Sequence, residues 1–259
     1  MRVTRLLALH GFTGSGDDFD VVQAAVARRG AAIDWLTPDL PGHGGNLPPF
    51  AGAYTVPAMA ASVAAGLRGM EDQETLTVLL GYSMGGRVAL QTALDWPESI
   101  DALVLIGAHP GIEDLEARAA RAAEDRARAV RVRELGAAAF CAEWSCVPII
   151  ATQERVPAPF RAAMRARRAA NDTQGLSLAA EVGGTGSMDP LWDRLNTLDL
   201  PTLLVVGEDD HKYRELVAEM LPRIPSAAPA TISGAGHAAH LEAPDAFATR
   251  LVRFLDALG

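Results

Sequence analysis

The chain is poor in cysteine, in lysine and in long apolar runs. Only two cysteines, Cys141 and Cys146, occur in 259 residues, which excludes a disulfide-stapled scaffold. Their spacing fits neither a zinc site nor a Cys-x-x-Cys redox pair, so both are expected to be buried, inert thiols in a reducing compartment. No run of about 18 apolar residues exists, which excludes a spanning helix and membrane insertion. The apolar stretch within Met1–His10 is too short for a secretion signal and runs into a glycine-rich turn, so the expected location is cytoplasmic. Lysine occurs once, at Lys212, and the formal net charge is −9; that balance argues against nucleic acid as a partner. Almost every cation is therefore an arginine, and an arginine needs a positional argument before it carries meaning.

What is present is a 49% hydrophobic chain, long enough to close one large α/β core. Its organising stretch is Leu76–Leu90. An apolar run leads into Gly81-Tyr82-Ser83-Met84-Gly85, and a helical pattern follows. Gly-x-Ser-x-Gly between strand and helix is a nucleophile elbow, a turn so sharp that the serine hydroxyl stands clear of the sheet. Glycine flanks it because strand and helix backbones pass too close for a Cβ.

Strand and helix patterns alternate around this point. Strands are expected at Val3–Leu9, Ala32–Leu36, Leu76–Leu80, Asp101–Ile106, Pro201–Val206 and Ala228–Ile232. Asp17 or Asp18 is expected to cap the first helix, and Pro57 to open the second. From His109 to about Leu198 there is no strand pattern, only Ala/Arg/Glu-rich helical periodicity broken by prolines and by Gly183-Gly184-Thr185-Gly186. The expected architecture is a mostly parallel sheet covered by helices on both faces, with a helical lid over the carboxyl ends of the strands. The boundaries are 1–108 and 199–259 for the two parts of the core and 109–198 for the lid.

Ser83 needs a base, and the base needs an orienting carboxylate. In this fold class the chain order is Ser, Asp or Glu, then His. His237 follows the last strand in Gly234-Ala235-Gly236-His237 and is the base candidate. His10, His43, His109, His211 and His240 lack that position, and His10 is better suited to shaping a turn. The fourth strand ends without a carboxylate before Glu113, whereas the fifth ends in Glu208-Asp209-Asp210. Asp210 is chosen and Asp209 stands second; the others are read as solvated loop charges. The backbone N–H groups of Phe12 and Met84 are the expected oxyanion hole, where a donor is worth roughly 3–4 kcal/mol.

His10-Gly11-Phe12, Asp39-Leu40-Pro41-Gly42-His43-Gly44, the elbow and Gly234-Ala235-Gly236-His237 together resemble the α/β-hydrolase superfamily. Finer features resemble the 2-succinyl-6-hydroxy-2,4-cyclohexadiene-1-carboxylate synthase family of menaquinone biosynthesis. These are Gly11–Ser15, Gly81–Arg87, His109–Ile112, Arg118–Arg121, Arg168–Asn171, Gly175-Leu176, Gly184–Gly186, Gly207-Glu208, Asp210, Lys212-Tyr213 and Gly236–His240. One departure is that the chain opens on the first core strand, without the superfamily's usual leading edge strands.

The resemblance implies a small anionic substrate bearing several carboxylates, held by Arg87, Arg121 and Arg168, with Tyr82 and Trp144 at further pocket positions. Arg87 also stands on position alone, one turn beyond Ser83. The implied reaction is a pyruvate elimination in which Ser83, activated by His237 and Asp210, takes a proton; it requires no metal or cofactor. A serine hydrolase on the same three residues, or a non-enzymatic binding module on the same fold, are the rival readings. The expected assembly is a monomer or small homo-oligomer.

Overall fold

The computed structural model describes residues 3–70 and 74–259; Met1 and Arg2, which open the first apolar stretch, lie outside them. Six strands form one sheet: β1 (Val3–Leu9), β2 (Ile33–Leu36), β3 (Thr75–Tyr82), β4 (Ala102–Ile106), β5 (Thr202–Gly207) and β6 (Ala227–Ile232). Their order is β2-β1-β3-β4-β5-β6, and every pairing among them is parallel. The central strands are apolar at nearly every position because each face is covered. Alternate residues nonetheless go to different layers. Leu6, Ala8, Val78, Leu80, Val104 and Val205 pack with Phe19, Phe247 and Leu251 on one side. Leu7, Leu9, Leu79, Leu103, Leu105 and Leu204 pack with Met59, Val88 and Leu90 on the other.

The first layer is built by α1 (Asp20–Ala27) and α10 (Pro244–Asp256), the second by α2 (Val56–Arg68), α3 (Met84–Asp95) and α8 (His211–Met220). Thr55 caps α2 by accepting from the Ala58 N–H, and Pro57 sits in its first turn, where a missing N–H costs nothing. The expected aspartate cap on α1 is corrected. A 3₁₀ turn over Gly16–Phe19 precedes that helix, and its N-cap is Ser15 without a side-chain bond. Asp18 is buried instead and ion-paired to Arg167 at 3.2 Å and Arg168 at 3.6 Å.

Between β4 and β5 the regular structure of the described residues is helical: α4 (Leu115–Trp144), α5 (Pro148–Ala151), α6 (Ala158–Ala169) and α7 (Thr173–Glu181), with short 3₁₀ turns and loops between and after them. Asp114 caps α4 through the Ala117 N–H, and Gly136, at φ 75° and ψ 158°, breaks it into two segments. Cys141 is buried, and burial pushes its thiol up to about 11. Cys146 is exposed, which corrects the expectation that both thiols are buried. No single helix among the described residues is long and apolar enough to cross a membrane.

Candidate active site

Four strand ends converge on one point. Ser83 follows β3, Asp210 lies three residues past β5, His237 five past β6, and Phe12 three past β1. His237 Nδ1 stands 2.6 Å from Asp210 Oδ2, and Nε2 stands 3.0 Å from Ser83 Oγ. The imidazole therefore spans from carboxylate to hydroxyl, the geometry in which an aspartate fixes the ring and the distal nitrogen takes the hydroxyl proton. His237 and Asp210 are both buried. Asp209, the second candidate, is exposed and pairs with Arg155 at 2.6 Å. Glu208 accepts from the Gly234 N–H at 3.0 Å. Both are exposed loop charges, as expected, and each also braces a loop beside the site.

The elbow explains its glycines. Ser83 has φ 52° and ψ −105°, a conformation costing on the order of 1–3 kcal/mol that only surrounding contacts can hold. Its N–H donates to Ile106 O at 2.9 Å, and Gly85 N–H to His10 O at 3.0 Å. A Cβ on Gly85 would come within 2.3 Å of Leu9 O, and one on Gly81 within 2.3 Å of Gly85 O. The same contact draws the Gly11–Phe12 loop against the start of α3. Met84 is the first residue of that helix, so its N–H has no intrahelical carbonyl and is available to an oxyanion.

The Phe12 loop is held from both sides. Thr13 has φ 69°, unusual for a β-branched residue. Its N–H donates to His43 Nε2 at 3.1 Å, and its carbonyl accepts from Asn171 at 3.0 Å. His10 accepts from the Leu40 N–H through Nε2 and meets Gly11 O through Nδ1, so it shapes the turn as expected. Burial lowers the pKa of His10 and takes His43 down to about 3. His240, whose buried Nδ1 has no partner, is likewise taken down to about 3 by burial, with the nearby His237 next in effect.

A histidine held neutral in the fold stabilises it fully above the unfolded pKa of about 6.5, and that stability is lost as pH falls toward 3. His43 and His240 should each contribute a slope of about 1.4 kcal/mol per pH unit over that window. Urea unfolding from pH 7 to pH 4.5 checks this, with His240→Phe as the diagnostic variant. Its ring would lie among Phe19, Tyr82 and Phe247, and it should flatten the slope by one residue's share. An unchanged slope would contradict the assignment.

A cavity of about 260 Å³ opens beside Ser83. Arg87, Arg121, Arg128, Arg168 and Lys212 line it, against only two carboxylates, Asp18 and Asp125. In a protein of net charge −9 the site is thus locally cationic. Arg87 is buried, donates to Gly183 O at 2.8 Å, and has its pKa lowered by burial to about 10, so it remains charged at neutral pH. Arg168 is also buried; it donates to Gln153 Oε1 at 2.7 Å and keeps an unpartnered buried Nε. Arg121 and Arg128 both bind Asp125, at 2.9 Å and 2.5 Å. Burial alone would raise the Asp125 pKa, but the Arg121 bond and charge, the Gly186 N–H and Arg128 outweigh it and leave it lowered. The carboxylate therefore stays ionised and sets the pitch of two guanidinium groups.

Of the residues expected at the site, Phe12, Tyr82, Ser83, Met84, Arg87, Arg121, Trp144, Arg168 and His237 line this cavity, and Asp210 stands behind His237. Tyr82 lies 5.3 Å from the His237 ring, and burial raises its pKa. Trp144 stacks on Phe140 at 5.9 Å and lies under Arg128 at 5.0 Å. Sequence reading missed Arg128, Asp125, Gln153 and the role of Tyr213, whose ring centroid is 4.4 Å from that of His237. The spacing Arg121-Asp125-Arg128, at i, i+4 and i+7, was the available signal for two of them. Among the described residues no group of three or more His, Cys, Asp or Glu could hold a metal ion.

Comparison with known proteins shows the family of the chain. The model of the alpha/beta hydrolase family matches residues 6–250. A Bacillus subtilis (strain 168) protein, named provisionally as a 2-succinyl-6-hydroxy-2,4-cyclohexadiene-1-carboxylate synthase, is 34% identical over 98% of this chain and 90% of its own. The synthase of that name from Klebsiella pneumoniae (strain 342) is 33% identical, over 96% of this chain and 93% of its own. Among solved structures, MenH from S. aureus superposes with a TM-score of 0.90 at 29% identity, over 98% of this chain and 94% of that one.

Proposed function

The chain belongs to the alpha/beta hydrolase family and, within it, to the 2-succinyl-6-hydroxy-2,4-cyclohexadiene-1-carboxylate synthases, and on that premise we propose that it is a carbon–oxygen lyase of menaquinone biosynthesis, eliminating pyruvate from 2-succinyl-5-enolpyruvyl-6-hydroxy-3-cyclohexene-1-carboxylate. The observation that carries the reading is the cavity's charge. Five cations beside a triad in a net-acidic protein suit a substrate with several carboxylates, and a neutral ester has no use for them. Arginine suits the task because its planar fork grips a carboxylate at two points.

In the proposed mechanism Ser83 Oγ removes the ring proton α to the succinyl ketone while passing its own proton to His237 Nε2, and Asp210 holds the ring and balances the imidazolium. The ketone oxygen becomes an enolate facing the Phe12 and Met84 N–H groups. The enolate electrons return through the ring alkene, the bond to the enolpyruvyl oxygen breaks, and a conjugated diene forms. The proton held on His237 is available to the departing enolpyruvate, which ketonises to pyruvate. Residues 109–198 act as a lid that keeps water from the enolate, and we place the protein in the cytoplasm.

Deuterium at the α position tests the step directly. In single-turnover experiments the labelled substrate should release pyruvate more slowly than the unlabelled one. Equal rates would contradict proton abstraction as the event that starts the elimination.

A further inference from the structure

We propose that Glu242 is a positioning residue for His237, and that through it the turn Thr152–Arg155 ties the lid to the base. The inference rests on the triad reading above and deepens it.

Glu242 lies at the end of the short helix α9 (Ala239–Glu242), and its side chain has no solvent exposure. A carboxylate so placed must have its oxygens satisfied, and the partners are specific. Oε2 accepts from the Gly236 N–H at 2.6 Å, and Oε1 from the Ala238 N–H at 3.1 Å. These amides bracket His237, so one rigid group clamps the backbone on either side of the base. The loop needs such a clamp: Ser233–Ala238 contains two glycines and no regular structure, and Gly234 has φ 69°. The imidazole has little slack to absorb a backbone shift. A Cβ on Gly107 would lie 2.7 Å from His237 Cε1, and both ring nitrogens already hold partners.

The other half of the clamp comes from the segment between β4 and β5. Thr152 Oγ1 donates to Glu242 Oε1 at 2.8 Å, and its side chain fills the space a Cβ on Gly236 would enter. Arg155 donates to Asp209 Oδ2 at 2.6 Å and to Gly234 O at 3.0 Å. Gln153, between them, accepts from Arg168 at 2.7 Å. One four-residue turn thus touches the loop of the acid, the loop of the base and an arginine of the cavity.

Glu242→Gln, Thr152→Ala and Thr152→Ser in the full chain decide the matter. Glutamine keeps the shape but turns one acceptor into a donor aimed at a backbone N–H. A backbone displacement that spoils the His237 geometry costs up to roughly 100-fold in rate. Glu242→Gln should therefore lower kcat for pyruvate release roughly 10–100-fold with KM unchanged. Thr152→Ala should lower kcat by less, and Thr152→Ser should restore it. Labelling of Ser83 by a neutral aryl phosphonate should slow in the same order, and this readout does not depend on the natural substrate. If wild type is labelled but releases no pyruvate, the lyase reading fails while the labelling rates still judge Glu242. Wild-type labelling in Glu242→Gln, or a loss confined to KM, would overturn the proposal. If that variant does not fold, equal labelling of Thr152→Ala and wild type would overturn it.

Discussion

Replacing Ser83 with alanine should lower pyruvate release by on the order of 10⁴-fold, the scale seen when one member of a cooperating triad is removed. The expectation follows from how narrow the proton route is. Among the described residues His237 Nε2 is hydrogen-bonded to the Ser83 hydroxyl, at 3.0 Å, while Nδ1 is committed to Asp210 at 2.6 Å. Without the hydroxyl the imidazole has no bonded group through which to reach a substrate carbon. The fold should survive, because alanine can occupy the elbow with the same backbone partners, Ile106 O for the Ser83 N–H and His10 O for Gly85. Alanine keeps the Cβ, so the backbone strain at φ 52° is carried over unchanged. Kinetic assay beside thermal unfolding separates the two effects. A variant that retained a tenth of wild-type turnover would place the base elsewhere.

The second large effect is expected at Arg87. Its guanidinium is buried, and its hydrogen bond goes to the Gly183 carbonyl rather than to a carboxylate. Its charge is thus left to be matched by substrate. Arg87→Ala should cut kcat/KM by about 10²- to 10³-fold, or about 3–4 kcal/mol, the scale of truncating one member of a buried charge pair. Arg87→Lys should recover little, because an ammonium cannot reproduce the two-point grip. Turnover of a neutral aryl acetate, where it occurs, should be unaffected. A common loss on both substrates would mean that Arg87 supports the elbow rather than the carboxylate.

Much of this site was legible before any coordinates, for a physical reason. A buried parallel strand announces itself by a short apolar run, and in this architecture chemistry sits just past the strand's carboxyl end. Ser83, Asp210 and His237 each occupy such a position, so strand placement located them. The helices between β4 and β5 gave no comparable handle. Arginine recurs along α4 at 118, 121, 126, 128, 131 and 133, so composition marks no face as inward. What turns Arg121 and Arg128 toward the cavity is packing of the 183–186 glycine turn on α4. A Cβ on Gly186 would sit 2.2 Å from Ala122 N, and one on Gly184 would sit 2.3 Å from Asp125 Oδ2. Asp18 was misjudged for a related reason. A local cap and a long-range ion pair compete for the same carboxylate, and Arg167 and Arg168 lie about 150 residues away. Glu242 was equally hidden, since its partners are backbone amides that carry no side-chain signature.

The central claim is that a triad built like a hydrolase's serves here to remove a proton, in a pocket charged for a polyanion. The most direct measurement compares wild-type kcat/KM for pyruvate release from 2-succinyl-5-enolpyruvyl-6-hydroxy-3-cyclohexene-1-carboxylate with that for hydrolysis of an aryl acetate. Elimination exceeding ester hydrolysis by several orders of magnitude is the result expected. Brisk aryl acetate turnover with no pyruvate from the authentic substrate would contradict it.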